Sequence, residues 1–216
     1  MSPKLAQRRA AKAVRRKRVL TEKRSAASSS LGECVRHLAA RPLHCCLMQA
    51  ALFEHGIGVV LLARQLETGA LAIAAFLVDV FCLGIKDVGF QVIQKSELGG
   101  YLRMIDETMP MTPIDPSYAR KLLSDAAAYA ARLGLRPPRD FAAIEQLFGG
   151  FSSEVCTETF RFGCNGKPLY APGPSESVAQ IRRRVATLMR TLGPDGFALA
   201  NPFDDAVEEV AELPAA

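Results

Sequence analysis

The sequence predicts an α+β protein: a mainly antiparallel sheet covered by helices, with a basic helical N-terminal arm ahead of it. Two apolar, partly β-branched segments, 57–66 and 70–81, are separated by a short turn at 67–69 and indicate two adjacent strands. The clearest helix signals come later, after Asp115 and after Ser177. Because strands and helices are clustered and do not alternate strictly, the pattern favours α+β over a doubly wound sheet.

Charge divides the 216-residue chain into three parts. The first 28 residues contain ten Lys or Arg and one Glu, which is a net charge of +9, whereas the remainder carries −4. We therefore expect a basic arm and linker at 1–30, a single α+β domain at 31–200 and an acidic mobile tail at 201–216.

The basic arm is typical of proteins that bind a polyanion, and the expected partner is the backbone of RNA or DNA. The cations expected to make these contacts are Arg8, Arg9, Lys12, Arg15, Arg16, Lys17 and Arg18. A solvated or targeting tail is an alternative, and an anionic membrane surface is another. The arm has no aromatic residue, so we expect no membrane insertion.

Further features of the sequence predict a cytoplasmic protein. No apolar segment follows the basic residues as a secretory signal would require, and the apolar run around Leu71 is interrupted at Asp79 and is too short to cross a bilayer. Without a secretion signal, the six cysteines are expected to be reduced.

Three other segments complete the first half of the domain. Residues 31–40 are expected to be helical up to Pro42, and 43–51 fit either a strand or a buried helix. Residues 85–93 are expected to extend the sheet after a bend at Gly84. Because the strand segments are apolar on both faces, we expect both sides of the sheet to be covered.

The second half contains three predicted helices. Asp115 caps a helix with Pro116 at its first position, ending at Gly134, and Asp140 caps a second helix over 141–148. Ser177 and Gln180 form a capping box for the last helix, which ends at Gly193. Its arginines, Arg182, Arg183, Arg184 and Arg190, are expected on the outer face.

A β-hairpin is predicted between the second and third of these helices. Residues 157–162 alternate between polar and apolar side chains and indicate a strand, Asn165-Gly166 is typical of a tight turn, and 167–171 would be the partner strand. Phe160 and Phe162 could form a stacking platform for bases, although such residues more often face a core.

The strongest candidate for a chemical site is the apolar segment FLVDVFCLGIKDVGF at 76–90, which contains Asp79, Lys86 and Asp87. Burying an unpaired charge is costly, so a carboxylate here needs a partner, a metal ion or a position at a rim. Two carboxylates could bind Mg²⁺ and Lys86 could stabilise a phosphoryl transition state. Further ligands could come from Glu67, Glu97 and Asp106.

Geometry restricts that metal-dependent interpretation. On one straight strand Asp79 and Asp87 would lie about 26 Å apart, so they meet only if the chain turns at 82–84. The alternative interpretation is structural: Asp79 pairs with an Arg or accepts backbone N–H groups, and Lys86 and Asp87 lie in an exposed turn.

The cysteines and histidines provide weaker candidates. Cys34 and His37, together with the contiguous His44, Cys45 and Cys46, resemble a zinc-ligand pattern, but adjacent ligands rarely converge on one ion. A cysteine nucleophile beside His37, His44 or His55 is conceivable, but no cysteine is marked as activated. We therefore assign no metal ligand.

Three blocks of the sequence resemble a family of uncharacterised bacterial proteins. The blocks are FLVDVFCLGIKD at 76–87, DPSYARKLLSDAAAYAARLGL at 115–135 and FRFGCNGKPLYAPGP at 160–174. The resemblance implies a single-domain protein and transfers no activity and no catalytic residue.

The leading hypothesis is a cytoplasmic nucleic-acid-associated protein that needs no cofactor. The first alternative is a metal-dependent phosphodiesterase or nuclease that uses Mg²⁺ with Asp79, Asp87 and Lys86. The second alternative is a protein-interaction module with an acidic partner.

Overall fold

The computed structural model describes residues 30–105 and 110–200. The basic arm, its seven expected nucleic-acid contacts, the linker before residue 30 and the acidic tail lie outside the described residues, as does Asp106.

A five-stranded antiparallel sheet forms the centre of the described domain. Its spatial order is β4-β3-β2-β1-β5, with each neighbouring pair antiparallel. The strands are β1 (Leu43–Gln49), β2 (Ile57–Gln65), β3 (Leu71–Asp79), β4 (Gly84–Ile93) and β5 (Met111–Pro113). The predicted strand pair and its extension after Gly84 are therefore confirmed, and the ambiguous segment from residue 43 is a strand.

Helices surround this sheet, as an α+β fold requires. They are α1 (30–38), α2 (Leu52–His55), α3 (Leu98–Ile105), α4 (Pro116–Arg132), α5 (Phe141–Ile144) and α6 (Val178–Leu192). Two short parallel strands, β6 (Leu169–Tyr170) and β7 (Ala198–Leu199), flank α6 in the sequence.

Both faces of the sheet are covered, in agreement with its two-sided apolar pattern. On one face, Phe76 of β3 contacts the rings of Phe141 and Phe148, and α4 packs beside them. On the other face, Leu61 and Ile73 pack against α3. A separate apolar cluster joins α6 to the end of α4 and to the turn after β3, through Leu188, Leu133 and Leu83 among others.

The predicted helix starts at Asp115 and Ser177 are confirmed. The backbone N–H groups of Ser117 and Tyr118 donate to Oδ1 of Asp115 at 2.7 and 3.3 Å, ahead of α4. Ser177 and Gln180 form the reciprocal capping box of α6. At the second predicted helix, Asp140 makes no side-chain capping bond, and after Ile144 the backbone tightens into a 3-10 turn over Glu145–Phe148.

The predicted strand at 157–162 is wrong. Phe160 stacks on Phe53 and meets Tyr118 edge-on, and Phe162 stacks on Tyr129. The alternation therefore reflects aromatic side chains that pack against helices, and no strand among residues 30–105 and 110–200 pairs with this backbone. The stacking rings belong to the protein itself, so the core interpretation of both phenylalanines is confirmed.

The tight turn at Asn165-Gly166 is confirmed, but its partner strand is not. Asn165 and Gly166 have positive φ values of 51° and 81°, and Cys164 and Lys167 form an isolated antiparallel bridge. Within the predicted partner segment only Leu169 and Tyr170 are strand residues, and they pair in parallel with Ala198 and Leu199.

Gly84 allows the chain to turn from β3 into β4. Its φ is +65°, and an added Cβ would lie 2.4 Å from the carbonyl oxygen of Ala126 and 2.8 Å from Cβ of Ala130 on α4. This position therefore requires glycine both for its conformation and for the close approach of α4.

We expect Gly84→Ala to lower the free energy of unfolding by about 2 kcal/mol or more, because alanine disfavours positive φ and collides with α4. Gly89→Ala is the matched control on the same strand, since an added Cβ meets nothing within 4 Å there. It should change stability by less than about 1 kcal/mol. Urea-induced unfolding measures both, and equal effects would contradict this role of Gly84.

Candidate functional site

The turn that follows β3 fixes the position of Asp79. The side chain is 5% exposed, and its Oδ1 accepts the backbone N–H groups of Phe81 at 3.0 Å and Cys82 at 2.8 Å. Tyr129 of α4 braces the same turn by donating its hydroxyl to the carbonyl of Phe81 at 3.1 Å. Asp79 thus accepts backbone N–H groups, as one of the predicted alternatives required.

Burial dominates the ionisation of Asp79. Desolvation raises the pKa of this carboxyl, while the backbone N–H groups of the turn and the charge of Lys86 act in the opposite direction.

A β-bulge determines where Lys86 points. Val78 pairs with Ile85 and Leu77 pairs with Asp87, so Lys86 is the extra residue of β4 at this point. Bulges redirect a side chain away from the regular alternation of a strand. Here Nζ of Lys86 lies 3.2 Å from Oε1 of Glu176, and the side chain is 13% exposed. Lys86 is therefore a strand residue in a partly buried ion pair, and the expected exposed turn is wrong.

Glu176 is the centre of a cluster with Lys86, Tyr170 and Arg184, which we call the Glu176 cluster. Tyr170 donates its hydroxyl to Oε2 at 2.6 Å, and the backbone N–H of Gly173 donates to Oε1 at 3.2 Å. Arg184 forms an ion pair with Oε2 through Nη1. The carboxylate is 6% exposed and is held by groups from β4, β6 and α6.

This environment keeps Glu176 ionised. Burial opposes ionisation, but the hydrogen bonds from Tyr170, Arg184 and Gly173 outweigh it and lower the pKa of Glu176 to about 2. Burial, followed by the bond to Glu176, raises the pKa of Tyr170 to about 12. At neutral pH Glu176 is an anion that positions two cations, and it has no proton to donate as a general acid.

Tyr170, Glu176 and Arg184 were missed as site residues in the sequence. The sequence pattern predicts Arg184 on the outer face of the last helix with its neighbours, whereas in the structure it points inward and its side chain is 25% exposed. The spacing of Arg184 in the sequence indicates its inward position. It lies three residues after Ile181 and four before Leu188, both of which face the core on the same side of the helix.

Two clefts meet at Lys86. The first, of about 270 Å³, is the Asp79 cleft, and the second, of about 250 Å³, is the Arg136 cleft. The Asp79 cleft is lined by His55, Gly56, Ile57, Asp79, Phe81, Lys86, Leu169, Ala171, Pro172, Gly173 and Pro174. The Arg136 cleft is lined by Leu83, Ile85, Lys86, Asp87, Leu135, Arg136, Pro137, Pro138 and Arg184.

The structure brings Asp79 and Lys86 to one cleft and places Asp87 at the other. Asp87 is an exposed strand residue whose Oδ1 accepts the backbone N–H of Val88 at 2.9 Å. The chain does turn between the two carboxylates, as the metal-dependent interpretation needed, yet the turn directs them to separate clefts.

The additional candidate metal ligands are elsewhere. Glu67 forms an ion pair with Arg41, and Glu97 accepts the backbone N–H of Gln94 at 2.7 Å. Both lie at the end of the sheet opposite Asp79. Glu67 precedes the first residue of β3 and Glu97 follows the last residue of β4, whereas Asp79 is the last residue of β3. Over residues 30–105 and 110–200, no group of three or more His, Cys, Asp or Glu side chains could hold a metal ion.

Two of the cysteines are buried in the core. Burial is the main cause that raises the pKa of both the Cys46 and the Cys82 thiols to about 12. Such thiols are protonated at neutral pH, which disfavours a nucleophilic role for either of them.

Comparison of the chain with protein-family models, with curated proteins and with solved structures finds no match in any of the three. Among the helices in the described ranges, none has the length and apolar character needed to cross a membrane.

We expect Asp79→Ala to lower the free energy of unfolding by about 2 kcal/mol or more, because it leaves the N–H groups of Phe81 and Cys82 without an acceptor. Asp79→Asn is the matched variant: its amide oxygen still accepts both bonds, and it removes a charge that burial disfavours. It should stay within about 1 kcal/mol of the wild type at neutral pH.

Urea-induced unfolding compares the two variants. An Asn variant as unstable as the Ala variant would show that the charge of Asp79, and not its acceptor oxygen, supports the turn. A Mg²⁺-dependent nuclease activity lost in a stable Asn variant would instead support the metal-dependent interpretation.

Proposed function

We propose that this protein is a nucleic-acid-associated protein that binds the phosphate backbone of RNA or DNA through its basic N-terminal arm. The observation that carries the proposal is the charge distribution: +9 within 28 residues, whereas residues 29–200 contain 17 basic and 16 acidic side chains. A nearly neutral body neither attracts nor repels a polyanion strongly, so the arm supplies the long-range attraction.

Exposed arginines on the described domain support the same proposal. Arg182, Arg183 and Arg190 are exposed on α6, and Arg136 is exposed on the segment after α4. These two elements are in contact. Gly134, just after α4, lies so close to Thr191 of α6 that an added Cβ would be 2.8 Å from the threonine hydroxyl. The domain therefore offers a second set of cations for phosphate contacts, which position a protein on nucleic acid without reading its sequence.

The location we propose is the cytoplasm. All six cysteines lie within the described residues and none forms a disulfide, which suits a reducing compartment.

The alternatives have less support. The metal-dependent phosphodiesterase retains one favourable observation, the shared cleft of Asp79 and Lys86, but Asp87 lines the other cleft. A protein-interaction module with an acidic partner would use the same cations as nucleic acid, so the two must be separated by experiment.

The arm is tested in the full-length chain by replacing its seven cations, Arg8, Arg9, Lys12, Arg15, Arg16, Lys17 and Arg18, with Gln. Exchanging Arg for Lys and Lys for Arg at the same positions is the control, because it keeps the charge. Fluorescence anisotropy with duplex DNA and single-stranded RNA is measured over a series of salt concentrations.

The Gln variant should bind weakly, and its slope of log K against log salt on duplex DNA should fall by about 6, since each neutralised phosphate contributes about 0.9. The charge-preserving control should match the wild type. Unchanged affinity and slope in the Gln variant would contradict the proposal, and equal binding to an acidic polypeptide would favour the protein-interaction alternative.

A further inference from the structure

The geometry points to the Arg136 cleft as a binding site for a phosphate group, carried either by a free mononucleotide or by nucleic acid. The inference concerns the folded domain and does not depend on the basic arm. It assigns a specific phosphate contact to residues that the nucleic-acid proposal does not require.

Three cationic residues from three different elements line this cleft. Lys86 comes from the bulge of β4, Arg184 from α6 and Arg136 from the segment after α4. Lys86 and Arg184 are partly desolvated, with side chains 13% and 25% exposed, whereas Arg136 is exposed at the rim. Removal from water strengthens the attraction of these cations for an anion.

Glu176 orients two of the three cations without using all their donors. It engages Nζ of Lys86 with one oxygen and Nη1 of Arg184 with the other. An ammonium group has three donors and a guanidinium has five, so both retain donors for a ligand. The single charge of Glu176 does not neutralise the pair, and Arg136 adds a further positive charge.

The rim also carries one carboxylate, Asp87. It opposes an anion in the cleft, so the site should favour a ligand with a high charge density. A phosphate monoester carries nearly two negative charges at neutral pH and matches the planar fork of arginine, whereas a carboxylate carries one. The surplus of cations likewise disfavours a metal ion in this cleft.

The walls of the cleft restrict the size of the ligand. Leu83, Leu135, Pro137 and Pro138 enclose one side with apolar surface. The volume of about 250 Å³ is below the range of about 300–1,000 Å³ usual for complete small-molecule sites. A phosphate group with part of a sugar fits, whereas a whole dinucleotide would extend into solvent.

Titration of the isotope-labelled full-length chain with thymidine 5′-monophosphate, followed by NMR, tests this inference. Thymidine and inorganic phosphate are titrated in parallel. Three single variants of exposed residues are compared with the wild type: Arg136→Gln, Asp87→Asn and, as the matched control, Arg139→Gln, which lies on the same segment but does not line the cleft.

We expect thymidine 5′-monophosphate to shift the backbone amide signals of residues 83–87, 135 and 136, and thymidine to leave them unchanged. Arg136→Gln should weaken binding about tenfold or more, since it removes a charge-assisted hydrogen bond. Asp87→Asn should strengthen binding severalfold because it removes a repelling charge, and Arg139→Gln should have no effect.

The source of the phosphate is resolved with the arm variant described above. Residual oligonucleotide binding by that variant, lost on adding Arg136→Gln, would show that nucleic acid supplies the phosphate, whereas binding of the mononucleotide alone would identify a free nucleotide. Mononucleotide binding should be unchanged in the arm variant, so failure of the arm proposal leaves this result intact. Absence of signal shifts with every phosphate ligand, or equal effects of Arg136→Gln and Arg139→Gln, would overturn the inference.

Discussion

The buried Glu176 carboxylate, held between Lys86 and Arg184, is the interaction on which the organisation of the site depends. It joins strand β4, the segment after β6 and helix α6, and its ion-pair partner Lys86 lines both clefts. Removing one member of a buried ion pair leaves the others with uncompensated charge. The bulge of β4 and the face of α6 bring Lys86 and Arg184 to this carboxylate, and the carboxylate then holds their charged ends together.

The positive charge of the protein is divided between the arm and the folded domain, and we propose a different role for each. We propose that the dense positive charge of the arm attracts a polyanion over distance, independently of the polyanion's sequence. We propose that the cations lining a small cleft of the folded domain recognise a single phosphate group at short range. The buried Asp79 contributes to neither directly: it holds the turn that begins β4 and so determines where Lys86 emerges.

Local signals in the sequence predicted most of the fold, but not the site. The strands beside the turn at 67–69, the cap at Asp115 and the turn at Asn165-Gly166 depend on neighbouring residues and could be recognised from spacing. The expectation that a carboxylate in this apolar run needs partners agrees with the backbone N–H groups that Asp79 accepts. Asp79 contacts backbone N–H groups of the next turn. Lys86 pairs with Glu176, which is 90 positions away in the sequence, so this contact could not be predicted from neighbouring residues. The alternation of polar and apolar residues at 157–162 predicts a strand wrongly, because aromatic side chains that pack against a helix give the same pattern.

Direct measurement of the Glu176 carboxyl pKa by NMR, with Glu176→Gln to assign the signal, tests the central claim. The ordinary value of 4.5 is lowered to about 2 in the folded protein, so ionised Glu176 stabilises the fold above pH 4.5 and loses that contribution as the pH falls toward 2. We predict a titration midpoint near pH 2 with a parallel loss of the contacts of Lys86 and Arg184. A midpoint near 4.5 would contradict the claim that Glu176 organises the site.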